Sequence, residues 1–506
     1  MELSTLVLGI VFILTLLFIW MKRAHGFFKR NGIPGPEPTP LFGIFPEYKK
    51  KGVYQTDMDL VSQYGNVVGI YHGHRPVVLV ADPEMIESIC ISNFDKFRNR
   101  KVPLDFGPML RKTVSLSTDG QWRFLRDQIS TLFSPTCLNK ITSKIVESSD
   151  HLCNNIEEKL HNEKDIDLHP LCLSFSIDSM CNCLFGDNIN SYKDETSHMV
   201  EMIKKGWLAG NEGVAKPVMA CAVCPAMKSV FSMLQYNAIP SDVRSYFTKL
   251  VTKHMLRRHK DGGKNDLMSF LMKNSRRKSV VESPDYTTKN RHNISSDYRL
   301  SETEIVANCL FFFLAGYDTT ATTLVFLLYC LAENPDCQDL LAKEISNIKT
   351  NDSESDGVEG LQYLDMIFKE TLRMFPPYLR FGRCVEEDVV IRGKKFYKGT
   401  EAAFPVYAIH RNPKIFPNPD KFDPHRFKED CISKRHPLSF IPFGAGPRDC
   451  FAQSYTKLVV KTAVVCLLQK YRFSLSSSQK DPPALSKKGI YLRPQNGVWL
   501  SITKRG

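Results

Sequence analysis

A cysteine, an arginine and two glycines share the ten residues FGAGPRDCFA, Phe443–Ala452. A thiolate persists in an apolar interior only beside positive potential. Gly444 and Gly446 let the chain turn tightly enough to aim amide hydrogens inward. The run from Phe451, FAQSYTKLVVKTAVVCLLQKY, has a helical period, which places Cys450 at the positive end of a helix. Arg448, two residues earlier, can project sideways to an anionic group. The chain has 15 cysteines, and the others read as small packing residues. This one reads as a stabilised thiolate.

Two more stretches carry chemistry. AGYDTT, Ala315–Thr320, sets a helix-weakening glycine beside an acid and two hydroxyls. Gly316 leaves room for a large neighbour, Thr319 can donate a proton into a dry pocket, and a buried Asp318 would stand behind it. ETLRMFPP, Glu370–Pro377, places Glu370 and Arg373 at i and i+3 on one helix face, where they can pair. Arg426, in FPNPDKFDPHRF, can join as a third member of that network.

These residues need elements to hold them. SETEIVANCLFFFLAGYDTTATTLVFLLYCLAENP, from Ser301 to Pro335, reads as one long helix with a capping box at Ser301 and Glu304. It is apolar almost all round, so it belongs at the centre of the body. Val67–Asp82 reads as a hairpin about a Gly-His-Arg-Pro turn, and Val389–Phe396 as another turning at Arg392-Gly393. Helical patterns dominate from about Gln121 onward. Asn274–Tyr298 is polar and aperiodic, a surface loop or disordered. CNC (Cys181, Cys183) and CAVC (Cys221, Cys224) lack the second pair that a zinc site requires.

Leu3–Met21 contains no charge and, as a helix, spans ~28 Å, about one hydrocarbon core. Lys22, Arg23, Lys29 and Arg30 follow it, which sets that side in the cytosol. Residues 1–22 therefore read as a transmembrane anchor, 23–40 as a basic, proline-rich hinge, and 41–506 as one catalytic body. In the cytosol the sequons at Asn293 and Asn351 stay unmodified. The net charge of +13 favours acidic partners, but the basic residues are scattered and no nucleic-acid motif accompanies them.

Together the motifs resemble the cytochrome P-450 superfamily, the haem-thiolate monooxygenases. FGAGPRDCFA is similar to its cysteine loop, AGYDTT to its central-helix motif, and ETLR to its E-x-x-R. WRFLR (Trp122–Arg126) and AIHRNP (Ala408–Pro413) are similar to two further segments, in the same order. The anchor and hinge resemble the microsomal class, and the motifs resemble its drug- and steroid-oxidising family-three branch.

The resemblance implies a mainly α fold with small β-sheets (α+β) behind one transmembrane helix. It implies haem b, with Cys450 as the iron ligand. Trp122, Arg126, Arg383 and Arg448, with Arg100 as a looser match, are implied to bond the propionates, and Phe443 to line the cofactor. Asp318 and Thr319 become the proton-relay pair, and Glu370, Arg373 and Arg426 a structural triad. Phe311, Ala315, Tyr378 and Leu379 are implied pocket residues, with Phe106, Leu110 and Ile490 beside them. Apart from the resemblance, Trp207 and the apolar stretch Val218–Leu234 read either as a bilayer contact or as helix–helix core. The implied partners are a lipophilic substrate, membrane lipid, an NADPH-cytochrome reductase docking near Arg126, Lys140, Lys434 and Arg435, and cytochrome b5. The implied location is the cytosolic face of the endoplasmic reticulum. Ala452 departs from the usual glycine of the signature. A haem-thiolate isomerase of the thromboxane-synthase type and a non-catalytic membrane haem protein are the alternative readings.

Overall fold

The structure, a computed structural model, describes residues 19–192, 197–261, 265–273, 300–347, 354–479 and 482–505, together with Gly9, Phe12 and Thr15. Most of the Leu3–Met21 run, the stretch Asn274–Tyr298 and both sequons lie outside the described residues.

The principal helices are α1 (Phe45–Tyr64), α2 (Asp119–Ser130), α3 (Thr142–Leu160), α4 (Leu168–Phe185), α5 (Ser197–Leu208), α6 (Ser241–Asp261), α7 (Glu302–Glu333), α8 (Gln362–Met374) and α9 (Gln453–Lys470). The strands are β1 (Val67–His72), β2 (Arg75–Val80), β3 (Asp165–Asp167), β4 (Arg380–Cys384), β5 (Val389–Ile391), β6 (Lys394–Phe396), β7 (Glu401–Pro405), β8 (Tyr471–Leu475) and β9 (Trp499–Lys504). One sheet has the order β1-β2-β7-β4, parallel at β2–β7 and antiparallel elsewhere. A second has the order β3-β9-β8, and β5–β6 is a separate hairpin. The fold is helix-rich with small sheets, as the sequence implied.

Helix α7 runs through the centre, packed against α4, α9, α5 and α6. Its start is the expected capping box: Ser301 Oγ accepts the Glu304 amide, and Glu304 Oε2 accepts the Ser301 amide at 2.9 Å. It is long and apolar enough to cross a membrane, but the most apolar stretch is 72% buried inside the body. A helix apolar on every side needs protein on every side, and here it has it.

Two expectations need correction. Helix α1 lies well before Gln121. Its backbone leaves helical geometry at Gly52, with φ 81°, so the apolar period is interrupted and the run did not read as helix. In the first hairpin, Arg75 and Pro76 belong to β2, pairing with His72 and Tyr71, and only Gly73-His74 turn. The Val389–Phe396 hairpin turns at Arg392 (φ 47°) and Gly393 (φ 75°) as expected.

Candidate active site

The cysteine loop is closed by the Cys450 amide, which donates to the Phe443 carbonyl at 2.8 Å. Gly444 and Gly446 have φ of 85° and 70°. A Cβ on Gly446 would lie 2.0 Å from the Cys90 carbonyl oxygen, so only glycine fits there. Helix α9 begins at Gln453 with Ala452 as its N-cap, two residues past Cys450. The Ala452 amide, at the N-cap of α9, hydrogen-bonds the sulfur. Ala452 has φ −101°, which alanine adopts without strain.

Burial pushes the Cys450 thiol up; the Ala452 amide, Arg126 and Arg100 pull the other way and are outweighed. The local field alone does not ionise this sulfur, whereas a coordinated metal ion does so outright.

Four guanidiniums converge on this loop. Arg126 from α2 donates to the carbonyl and the carboxylate of Asp449, both at 2.5 Å. Arg448 donates to the carbonyls of Arg98 and Ser117 at 2.5 and 3.0 Å, and its guanidinium lies 4.2 Å from the ring centre of buried Trp122. Arg383 from β4 donates to the carbonyls of Gly382 and Ala445, and its Nε has no hydrogen-bond partner among the described residues. Arg100 donates to Ser115 Oγ at 2.5 Å. Burial, reinforced by Arg100 and Arg383, pulls Arg448 down to about 8. Burial pulls Arg383 down to about 10. Phe443 is half-buried and stacks on Phe368.

On α7, Thr319 Oγ1 donates to the Ala315 carbonyl one turn back, at 2.7 Å. A Cβ on Gly316 would meet only the Met180 methyl of α4, at 3.3 Å. Asp318 is 1% exposed, and burial pushes it up to about 6 against the opposing pull of Arg493. Arg493 Nε lies 2.8 Å from Asp318 Oδ1, close enough for ion pairing but not aligned as a hydrogen bond. Arg493 escaped the sequence reading because nothing in GIYLRPQNG marks it. Its place is set by distant backbone bonds, Leu492 amide to Pro377 carbonyl and Leu379 amide to Ile490 carbonyl.

Glu370 and Arg373 are wholly buried and joined by two bonds of 2.7 and 2.8 Å. Arg373 also donates to the His410 carbonyl, and Glu370 accepts the Asp423 amide. Arg426 comes within 3.3 Å of Glu370 without hydrogen-bond alignment, and its other nitrogen donates to the Asn418 carbonyl.

Of the pocket candidates, Phe311, Ala315, Phe106 and Tyr378 are half-buried, Ile490 is partly exposed, and Leu379 and Leu110 are core residues. Tyr378 meets Tyr491, ring centres 5.1 Å apart. Trp207 is 3% exposed, packed between Tyr317, Tyr491 and Arg493, so it is no bilayer contact. Met219, Val230, Met233 and Leu234 are exposed, as a bilayer face requires. Lys140 and Lys434 are exposed. Arg435 is held against the Phe416 and Phe427 rings and Arg126 by Asp449, so neither is a free surface charge.

The cytochrome P450 family model matches residues 33–500. The chain belongs to the cytochrome P450 family. It is similar to cytochrome P450 3A13 of Mus musculus, 33% identical over 97% of this chain and 95% of the relative. It is similar to cytochrome P450 3A5 of Homo sapiens (32%) and to cytochrome P450 3A17 of Cavia porcellus (31%) over the same shares of each chain. This P450 is a monooxygenase-class oxidoreductase, and P450s hold haem iron through a cysteine thiolate. The residues around the cysteine loop fit that group: buried guanidiniums in excess of their carboxylates, one with an orphaned Nε, suit a dianionic porphyrin.

Proposed function

We propose that the chain is a microsomal monooxygenase that inserts one atom of dioxygen into a lipophilic substrate, a xenobiotic, steroid or lipid, with electrons from NADPH delivered by a flavoprotein reductase. Cys450 is the iron ligand, and Arg126, Arg383 and Arg448, with Trp122 and Arg100, hold the haem propionates. The observation that carries this reading is the convergence of four guanidiniums, Arg383 and Arg448 buried and Arg100 and Arg126 half-buried, beside one loop-held cysteine. Haem b, when bound, supplies a redox-active iron whose thiolate ligand favours cleavage of the O–O bond of dioxygen.

The chain's own part is position and protons. Thr319 offers a hydroxyl in the half-buried turn after Ala315, and burial raises Asp318 to about 6, where it can take up and release a proton near neutral pH. The triad Glu370–Arg373–Arg426 ties α8 to the segment before the cysteine loop and so fixes that loop. Phe311, Ala315 and Tyr378 line the apolar approach, with Leu379 as their support.

Residues 1–22 are proposed as the transmembrane anchor, 23–40 as its hinge and 41–506 as the catalytic body on the cytosolic face of the endoplasmic reticulum. Exposed Trp20, Phe42, Met233 and Leu234 suit a lipid surface. Lys140 and Lys434 are the proposed contacts of the reductase, and cytochrome b5 is a second acidic partner.

Reconstitution with NADPH and a flavoprotein reductase tests this function. Product formation should depend on both and on dioxygen, and Thr319→Ala should divert NADPH oxidation from product to hydrogen peroxide. Product formed without NADPH would point to an isomerase instead.

A further inference from the structure

Beside the central helix lies a group of buried polar side chains incompletely partnered among the described residues. Asp318 Oδ1 and Arg493 Nε form an ion pair at 2.8 Å, and neither atom has an aligned hydrogen bond among the described residues. The Arg493 guanidinium lies 4.3 Å from the ring centre of Trp207, whose buried indole N–H has no acceptor among the described residues. His169 faces the Arg493 charge, and its Nε2 has no partner among the described residues. Tyr317 and Tyr491 wall the group, with ring centres 6.5 and 5.7 Å from Trp207. The strand-like segment carrying Arg493 bonds to the backbone of Pro377 and Leu379, flanking Tyr378 of the proposed pocket.

A buried donor left without an acceptor costs ~1–3 kcal/mol. An arginine stacked on tryptophan and surrounded by aromatic rings matches a ligand that is anionic at one end and apolar beyond it.

We infer that Arg493, backed by Trp207, forms an anion subsite for the carboxylate head group of a lipophilic acid. The inference rests on the monooxygenase reading and narrows its substrates to long-chain carboxylic acids.

A consequence follows for Asp318. A ligand carboxylate that takes over Arg493 leaves Asp318 without its cation. The groups facing Asp318 are Arg493, Tyr491 of the same C-terminal segment, neighbouring Tyr317, and Glu212, whose charge opposes ionisation. With Arg493 engaged elsewhere, burial and Glu212 hold the carboxyl protonated, so binding draws one proton from solvent onto Asp318. Affinity for the acid then weakens as pH rises above about 6, by at most roughly tenfold per pH unit.

The test uses the haem-loaded full chain and three probes of one length: dodecanoic acid, methyl dodecanoate and dodecylamine. Binding is followed by haem absorbance and by calorimetry between about pH 6 and 8. Wild type should bind the acid roughly tenfold or more tighter than the ester, as a charge-assisted bond implies. Acid affinity should fall across the pH range while ester affinity stays level. Arg493→Gln should abolish the preference, and Arg493→Lys should restore part of it. Equal binding of acid and ester by wild type, or a preference that survives Arg493→Gln, overturns the inference. If Arg493→Gln fails to hold haem, the wild-type pair and its pH slope decide alone. Failure of the monooxygenase reading looks different: no thiolate-type carbon monoxide band, whatever the probe.

Discussion

Glu370 and Arg373 on α8 and the guanidiniums around Cys450 are both buried charge, and they differ in how completely they are matched. Every polar atom of the α8 pair is engaged: two mutual bonds, the carbonyls of His410 and Lys421, and the Asp423 amide. Around the cysteine loop, Arg383 keeps an orphaned Nε, and Arg448 is held down to about 8 by burial and by other arginines. Charge matched within the chain fixes structure. Charge left over, where several such groups converge, leaves capacity for another group to bind. The Asp318–Arg493 group belongs to the second kind.

Four experiments can break or sharpen that contrast. The largest effect should come from Arg373→Leu, which strands Glu370 in the core. Loss of one partner of a buried pair costs ~3–5 kcal/mol, so the urea midpoint should fall steeply and little haem protein should accumulate. A tolerated Arg373→Leu would erase the distinction. Next is Gly446→Ala, which forces a Cβ against the Cys90 carbonyl at a left-handed φ. Overpacking costs ~1–3 kcal/mol. Because the strain sits in the cysteine loop, haem content should drop more than secondary structure measured by circular dichroism.

Arg383→Leu should behave in the opposite way to Arg373→Leu. The haem-free protein should keep or raise its melting temperature, because a poorly matched charge is removed. Transfer of haem to an apo-globin acceptor should quicken by roughly tenfold, the worth of one strong hydrogen bond. Loss of haem-free stability instead would make Arg383 structural.

The fourth experiment reads a pH dependence, at Asp318, rather than a loss at fixed pH. Its carboxyl is raised from 3.8 to about 6, so the folded state favours the protonated form. That preference is fully present below the unfolded value and is lost as pH rises through about 6. Relative to Asp318→Asn, wild type should lose ~2–3 kcal/mol across that interval, read from urea midpoints at each pH. A flat difference would mean that Asp318 is not buried as described.

Much of this was legible in the sequence because it rests on local rules. The capping box of α7, the Arg392-Gly393 turn and the i, i+3 pair on α8 each follow from residues a few positions apart. Helix α1 was hidden because Gly52 breaks its period. Arg493 was hidden for another reason: its partners Asp318 and Trp207 lie far along the chain, and only tertiary packing joins them. The sequence left Trp207 open between bilayer and core because an apolar aromatic on a helix such as α5 looks the same from sequence in either setting. The helix boundary at Gln453, past Cys450, shows the same limit, since a helical period does not say which residue is the cap.

The central claim is that the Cys450 sulfur holds the haem iron. The carbon monoxide difference spectrum of the reduced protein, wild type against Cys450→Ser, tests it most directly. Wild type should give a red-shifted thiolate band, and Cys450→Ser should lose it while other cysteine-to-serine substitutions retain it. A Cys450→Ser protein that still shows the red-shifted band would contradict the account.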